Sequence, residues 1–134
     1  MAPPTHPATP LDRKALSGPA LRTFCRIAAL WRLSEDEQRT LLGLTSRSTL
    51  REWKRNPDMV LPKDTLERIS CILGVYKALQ PLLPDEKAAD AWVRRPNSAA
   101  LFAGHSALDK MLSGKIADLF IVRQYLGTHH GGWV

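Results

Sequence analysis

Between Asp64 and Gln80 the chain reads D-T-L-E-R-I-S-C-I-L-G-V-Y-K-A-L-Q, with apolar residues on two adjoining helical stripes. Leu66, Ile69, Leu73 and Tyr76 make one stripe, and Ile72, Val75 and Leu79 make the other. Steps of three and four residues mark an α-helix. An apolar arc this wide needs neighbours on several sides, so the stretch predicts a central helix on which the rest of the chain packs. Asp64 and Glu67 suit its positive start, and Pro81 and Pro84 close it. No stretch alternates with period two for long enough to form a strand, so the expected fold is all-α with about seven helices.

Residues 1–16 carry prolines at 3, 4, 7 and 10 and almost no large apolar side chain before Leu11. That composition predicts an extended or disordered arm. Ser17-Gly18-Pro19 punctuates the start of the first expected helix, with proline in the first turn, where its missing N–H costs nothing. Ala20, Leu21, Phe24, Ile27, Ala28 and Trp31 then form one apolar stripe, and Arg22, Arg26 and Arg32 fall away from it.

Ser34-Glu35-Asp36-Glu37 reads as a capping box opening a short second helix. Leu41 and Leu42 face inward there, and Gly43 ends it. Leu44-Thr45-Ser46 is a turn, and Thr45 or Ser46 caps a third helix running to Arg55. That helix turns Leu50 and Trp53 inward and carries Arg47, Arg51, Lys54 and Arg55 on the opposite side, with Ser48 and Thr49 near its start. A solvated charged face is the plainer account of such a run. A short helix, a tight turn and a second helix with a polar start nevertheless match the helix-turn-helix arrangement, whose second helix meets base edges with its first residues. Arginine takes guanine bidentately, and serine or threonine contacts several bases. Arg47, Ser48, Thr49 and Arg51 are therefore the candidate base readers, and Lys54 and Arg55 the candidate phosphate contacts. The net charge of +6 suits a polyanionic partner. Residues 1–60 hold ten Lys/Arg against six Asp/Glu, and residues 61–134 nine against seven, so the excess leans toward the half with the charged helix.

After a helix over Asp85 to Arg94, with Ala88, Ala91 and Trp92 inward, Pro96 turns the chain away from helix. Ala103-Gly104-His105 is a loop, and Ser106 with Asp109 forms a second capping box for a brief helix through Leu108, Met111 and Leu112. Ser113-Gly114 stops it. Lys115 to Leu126 makes a last amphipathic helix with Ile116, Leu119, Val122 and Leu126 on one stripe, ended by Gly127.

The order W-V-R-R-P-N, then F-x-G-x-S-A-L-D-x-M-L-S-G, then D-L-x-x-V-R-Q-Y-L resembles the C-terminal toxin-binding region of the Xre/MbcA/ParS-type antitoxins. The ending Gly131-Gly132-Trp133 is similar to that of many members. Residues from about 18 to 60 resemble the Xre-type helix-turn-helix of the same family. The resemblance implies an antitoxin of a type II toxin–antitoxin system, whose usual partners are RES-domain toxins that consume or transfer from NAD. It implies neutralisation by steric covering of the toxin's NAD pocket, together with autoregulation by a homodimer on operator DNA. On this reading residues 1–16 are the arm, 17–60 the DNA-binding domain, 61–91 a central linker or dimerisation region, and 92–134 the toxin-binding region. Asp118, Arg123 and Gln124 are expected to project toward the toxin, with Tyr125 and Trp133 as aromatic anchors. The alternative is a stand-alone repressor whose C-terminal helices only dimerise it.

No nucleophile elbow, phosphate-cradling glycine loop or Cys/His set with ligand spacing occurs, so neither an enzyme nor a metal or other cofactor is expected. His105 has no nucleophile or orienting acid placed beside it, and adjacent His129 and His130 cannot point the same way on a regular element. Cys25 and Cys71 sit within apolar patterns and read as small buried hydrophobes. No apolar run approaches a membrane span, and Met1-Ala2-Pro3-Pro4 does not begin a secretory signal; a cytoplasmic protein is expected.

Overall fold

A computed structural model describes residues 10–128. The described residues form seven helices: α1 (Pro10–Leu30), α2 (Glu35–Leu41), α3 (Arg47–Arg55), α4 (Lys63–Leu79), α5 (Glu86–Trp92), α6 (Ala107–Met111) and α7 (Ile116–Thr128). Among them the one strand-like pairing is an isolated antiparallel bridge between Pro96 and Ser106. α4 is central, with α1, α5 and α7 packed on it. Ile72, Val75 and Leu79 are fully buried, whereas Leu66, Leu73 and Tyr76 are half-buried. The deeper stripe faces the thick of the molecule, and the shallower one is a flank. A single apolar core runs from Phe24 and Trp31 on the α1 side, through Leu41 and Leu42, to Leu119, Val122 and Leu126 of α7.

The first helix starts earlier than its sequence pattern predicts. Residues 10–16, expected in an extended arm, are helical, and residues 1–9 lie outside the described residues. α1 runs straight through Ser17-Gly18-Pro19. Pro10 occupies the first helical position, where proline is tolerated, and Pro19 forfeits one backbone bond further in. Ser17 is a packing contact instead of a boundary. It is fully buried, and its hydroxyl donates to the Arg13 carbonyl and accepts from the Leu61 amide at 2.8 Å. One side chain thus joins α1 to the approach into α4.

Smaller shifts occur in the C-terminal half. α5 turns Ala89 inward with Trp92, while Ala91 is exposed. α7 continues past Gly127 to Thr128. Both capping boxes form: Ser34 accepts from the Glu37 amide at 3.1 Å, and Ser106 from the Asp109 amide at 3.0 Å. Cys71 is buried and Cys25 half-buried, and burial pushes both thiols up from their ordinary range.

Two arginines fasten the halves together. Arg68 of α4 is nearly buried, donating to Asp64 at 2.8 Å and to the Gly114 carbonyl at 2.9 Å. Its guanidinium lies against Gly43, where a Cβ would stand 2.6 Å from Nε. Gly43 also has φ +73°, so the turn after α2 needs glycine on both counts. Arg94, just past α5, reaches back to the N-terminal half. It donates to the Trp31 carbonyl at 2.9 Å, the Arg32 carbonyl at 2.7 Å and the Glu37 carboxylate at 2.9 Å. Arg32 itself has φ +57°, uncommon outside glycine, and Arg94 holds the carbonyls at that strained corner. No described helix is long and apolar enough to cross a membrane.

Candidate nucleic-acid interface and partner-binding face

α2, the segment Leu42–Ser46 and α3 make a helix–turn–helix. Leu41 and Leu42 anchor the first helix and Leu50 the second, with Trp53 half-buried beside them. The α3 residues pointing away from that anchor are the ones its charge pattern singled out. Arg47, Ser48, Arg51, Lys54 and Arg55 are exposed, and Thr49 is half-buried. Ser46 stands at the N-cap in extended conformation without capping through its side chain; its hydroxyl meets that of Ser48 at 2.8 Å.

The cations of α3 are partnered within the chain, which their sequence does not reveal. Arg47 forms an ion pair with Asp36 at 3.1 Å, and Arg51 one with Glu35 at 2.8 Å. Lys54 donates to the Gln38 amide oxygen at 3.2 Å, and Arg55 to the Arg51 carbonyl at 3.4 Å. The first turn of α2 therefore lies against the polar face of α3 as a ladder. Hydrogen bonding and charge from Arg51 hold the Glu35 carboxyl below its usual range. All four side chains of the two ion pairs are more than half exposed, and pairs of this kind contribute little in water. They are easily exchanged for a phosphate or a base edge.

Glu37, next in α2, faces the other way. Burial alone would raise its carboxyl, but the Ser34 amide and the Arg94 guanidinium outweigh burial and hold it below its ordinary value. The helix that positions α3 is thus tied to the C-terminal half through Arg94.

That half presents α7 as its outer wall. Leu119, Val122 and Leu126 go to the core, as their spacing predicts. Of the residues expected to project outward, Arg123 and Gln124 are exposed. Arg123 lies across α4 at Gly74, where a Cβ would stand 2.5 Å from its Nε. Asp118 and Tyr125 do not project. Asp118 is half-buried and pairs with Lys110 of α6 at 3.5 Å, and its hydrogen bond with Ser113 leads the causes that lower its carboxyl. Tyr125 is half-buried and packs edge-on against Phe102 at 5.2 Å between centroids. Phe102 packs edge-on against Trp92 in turn. Tyr125 thereby extends the core, and Asp118 ties α6 to α7. Trp133 lies outside the described residues.

In their place stand two residues outside the expected apolar stripe. Phe120 is 47% exposed and Ile121 38% exposed, adjacent on the face of α7 that also carries Gln124. Few other large apolar side chains of the described residues are as open. Their signal was available: α7 is apolar beyond its core stripe, and the excess had to face outward.

Comparison with known proteins matches both halves. Residues 10–74 match the antitoxin Xre-like helix-turn-helix domain, and residues 78–132 the antitoxin Xre/MbcA/ParS C-terminal toxin-binding domain. The chain is 46% identical over 132 residues to uncharacterized protein y4oB of Sinorhizobium fredii (strain NBRC 101917 / NGR234), covering 98% of this chain and 100% of that one.

Proposed function

This chain belongs to the Xre/MbcA/ParS-type antitoxins, and from that premise we propose that it neutralises a RES-domain toxin by covering its NAD pocket. The same chain, as a homodimer, binds operator DNA through α3 and represses its own transcription. The observation that carries the toxin half is the exposed pair Phe120 and Ile121 beside Arg123 and Gln124, within a region matching a toxin-binding domain. Apolar side chains bordered by a planar donor fork suit the mouth of a nucleotide pocket. Neutralisation of this kind needs no chemistry from the antitoxin. Asp118 and Tyr125 serve by holding α7 in place, and Trp133 remains a proposed further anchor.

On the DNA side, Arg47, Ser48, Thr49 and Arg51 read bases and Lys54 and Arg55 meet phosphate. Binding exchanges the Asp36 and Glu35 partners for the duplex. A two-fold dimer requires half-sites about one helical turn apart, or a multiple of it. We divide the chain functionally at α4, with the DNA-reading helices before it and the toxin-binding region from Trp92 onward. The central region is a shared core helix that serves both halves.

The test is to express the protein of the neighbouring reading frame, which this proposal requires to be a RES-domain toxin, and follow its NAD consumption with and without equimolar full-length chain. Arrest of NAD loss, together with a shifted duplex from the upstream region, supports the proposal. Undiminished NAD loss with a stable complex absent would reject it.

A further inference from the structure

The cations of the helix–turn–helix half are of two kinds. Arg47 and Arg51 have carboxylate partners, but Lys54 and Arg55 are bonded only to neutral oxygens. Arg22 and Arg26, exposed on the outer side of α1, have no carboxylate within ion-pair distance among the described residues. These four cations, none of them in an ion pair among the described residues, gather around one cleft. It is an open groove of about 610 Å³ between α1 and the C-terminal end of α3, closed below by the loop after α3. Leu21, Cys25, Trp53, Pro57 and Met59 supply an apolar floor, and the four cations supply the polar rim. No carboxylate lines it, and exposed Asp58 of the same loop stays outside the lining. The rim of this groove beside the reading helix is therefore cationic, with no carboxylate in its lining.

We propose that this cleft seats one strand of the DNA sugar–phosphate backbone, with Arg22 and Arg26 of α1 as phosphate ligands beside Lys54 and Arg55. The backbone of a duplex alternates phosphates with apolar deoxyribose faces. That alternation fits a cationic rim above a floor of Trp53, Met59 and Pro57. The cleft is continuous with α3, so a duplex held by Arg47 and Arg51 extends past it. Contacts of this type fix register and strength of binding but carry no sequence information. The inference rests on the DNA-binding reading and adds to it a second strand contact supplied by α1.

The test uses the full chain, a random-sequence duplex of about four helical turns and a duplex from the region upstream of its reading frame. Affinities are measured over a range of salt. In Arg22→Ala/Arg26→Ala the slope of log affinity against log salt should become shallower by about 1.8, with roughly thirtyfold weaker binding near 0.15 M salt on both duplexes. The ratio of upstream to random affinity should stay as in the wild type, and Arg22→Lys/Arg26→Lys should restore most of the slope. Helical circular dichroism checks that the exposed substitutions leave the fold intact. An unchanged slope in the alanine variant, while Arg47→Ala/Arg51→Ala still loses upstream binding, overturns the cleft and leaves α3 as the DNA contact. Loss of poly-glutamate binding with an unchanged DNA slope assigns the cleft to an acidic peptide and overturns the proposal. If the wild type binds neither duplex, the DNA reading fails and takes this inference with it.

Discussion

α3 and α7 are both outer helices of one core, yet they meet the solvent in opposite ways. α3 turns two large residues, Leu50 and Trp53, inward and covers its outer side with arginine and lysine. α7 buries Leu119, Val122 and Leu126 and still leaves Phe120 and Ile121 in the open. A charged face is expensive to bury and suits a polyanion; an apolar face is costly to leave wet and suits a protein. On the proposed reading, the contrast separates two partners on one small molecule. It also shows that Arg47 and Arg51 of α3 are matched by acids of α2, whereas nothing in the described residues covers the apolar pair of α7.

The two faces share a foundation, and the largest expected effect comes from breaking it. Leu50 and Leu119 are buried at 4% and 0% exposure, one beneath each face. Leu50→Ala and Leu119→Ala should each cost about 2–5 kcal/mol in denaturant unfolding, through lost burial and a residual cavity. A single cooperative transition in both variants is expected, since one core serves both halves. Two separate transitions would show that the faces stand on independent domains.

Operator binding is the next effect in size. Arg47→Ala and Arg51→Ala should each weaken it roughly ten- to a hundredfold and relax base preference, leaving toxin neutralisation unchanged. A gel shift at fixed salt, beside an NAD-consumption assay, checks both halves of that statement.

Arg94→Ala tests the tie between the faces. Loss of its bonds to Trp31, Arg32 and Glu37 should cost about 1–3 kcal/mol in unfolding free energy. Part of that contribution depends on pH. The native Glu37 carboxyl lies below its ordinary value of about 4.5, so its share is complete above that pH and fades as pH falls through the native value. The wild type and Arg94→Ala should therefore draw closer in stability below about pH 4.5. A gap constant down to strong acid would remove Glu37 from the account.

The smallest effect sharpens the charged side of the comparison. Glu35→Gln/Asp36→Asn releases Arg51 and Arg47 and removes two negative charges from the path of the phosphates. Operator affinity should rise by several-fold at most, because exposed pairs are weak. Stability should fall slightly, since those acids sit at the positive start of α2.

Much of this contrast is legible in the sequence where a helix has a clear polar side. Ser34 and Ser106 announced their capping boxes, and Leu50 and Trp53 against four cations announced the face of α3. Legibility fails where residues serve two purposes. Ser17 looks like a boundary until its hydroxyl is seen bonding Leu61, a contact across the fold that no local pattern encodes. The Ser17-Gly18-Pro19 signal was overridden by burial of that serine, and the helix ran through it. On α7 the apolar residues exceed one stripe, so spacing identifies the core positions without saying where the excess faces. Polar Asp118 and Tyr125 look outward-facing in the sequence because their partners, Lys110 and Phe102, come from elsewhere in the chain. The ladder between α2 and α3 was hidden for the same reason: the acids were legible as a helix start, and their second role needed the angle between the helices.

The central claim is that α7 stops the toxin independently of α3, and one titration addresses it. NAD consumption by the proposed RES-domain partner toxin is followed against increasing amounts of Phe120→Glu/Ile121→Glu. Both residues are exposed, so the variant should keep its fold and its operator binding. If this face is the anchor, the concentration needed for half-inhibition rises about a hundredfold or more, as for buried apolar anchors at other interfaces. Inhibition by the variant at the wild-type concentration would contradict the account and place the toxin contact elsewhere on the chain.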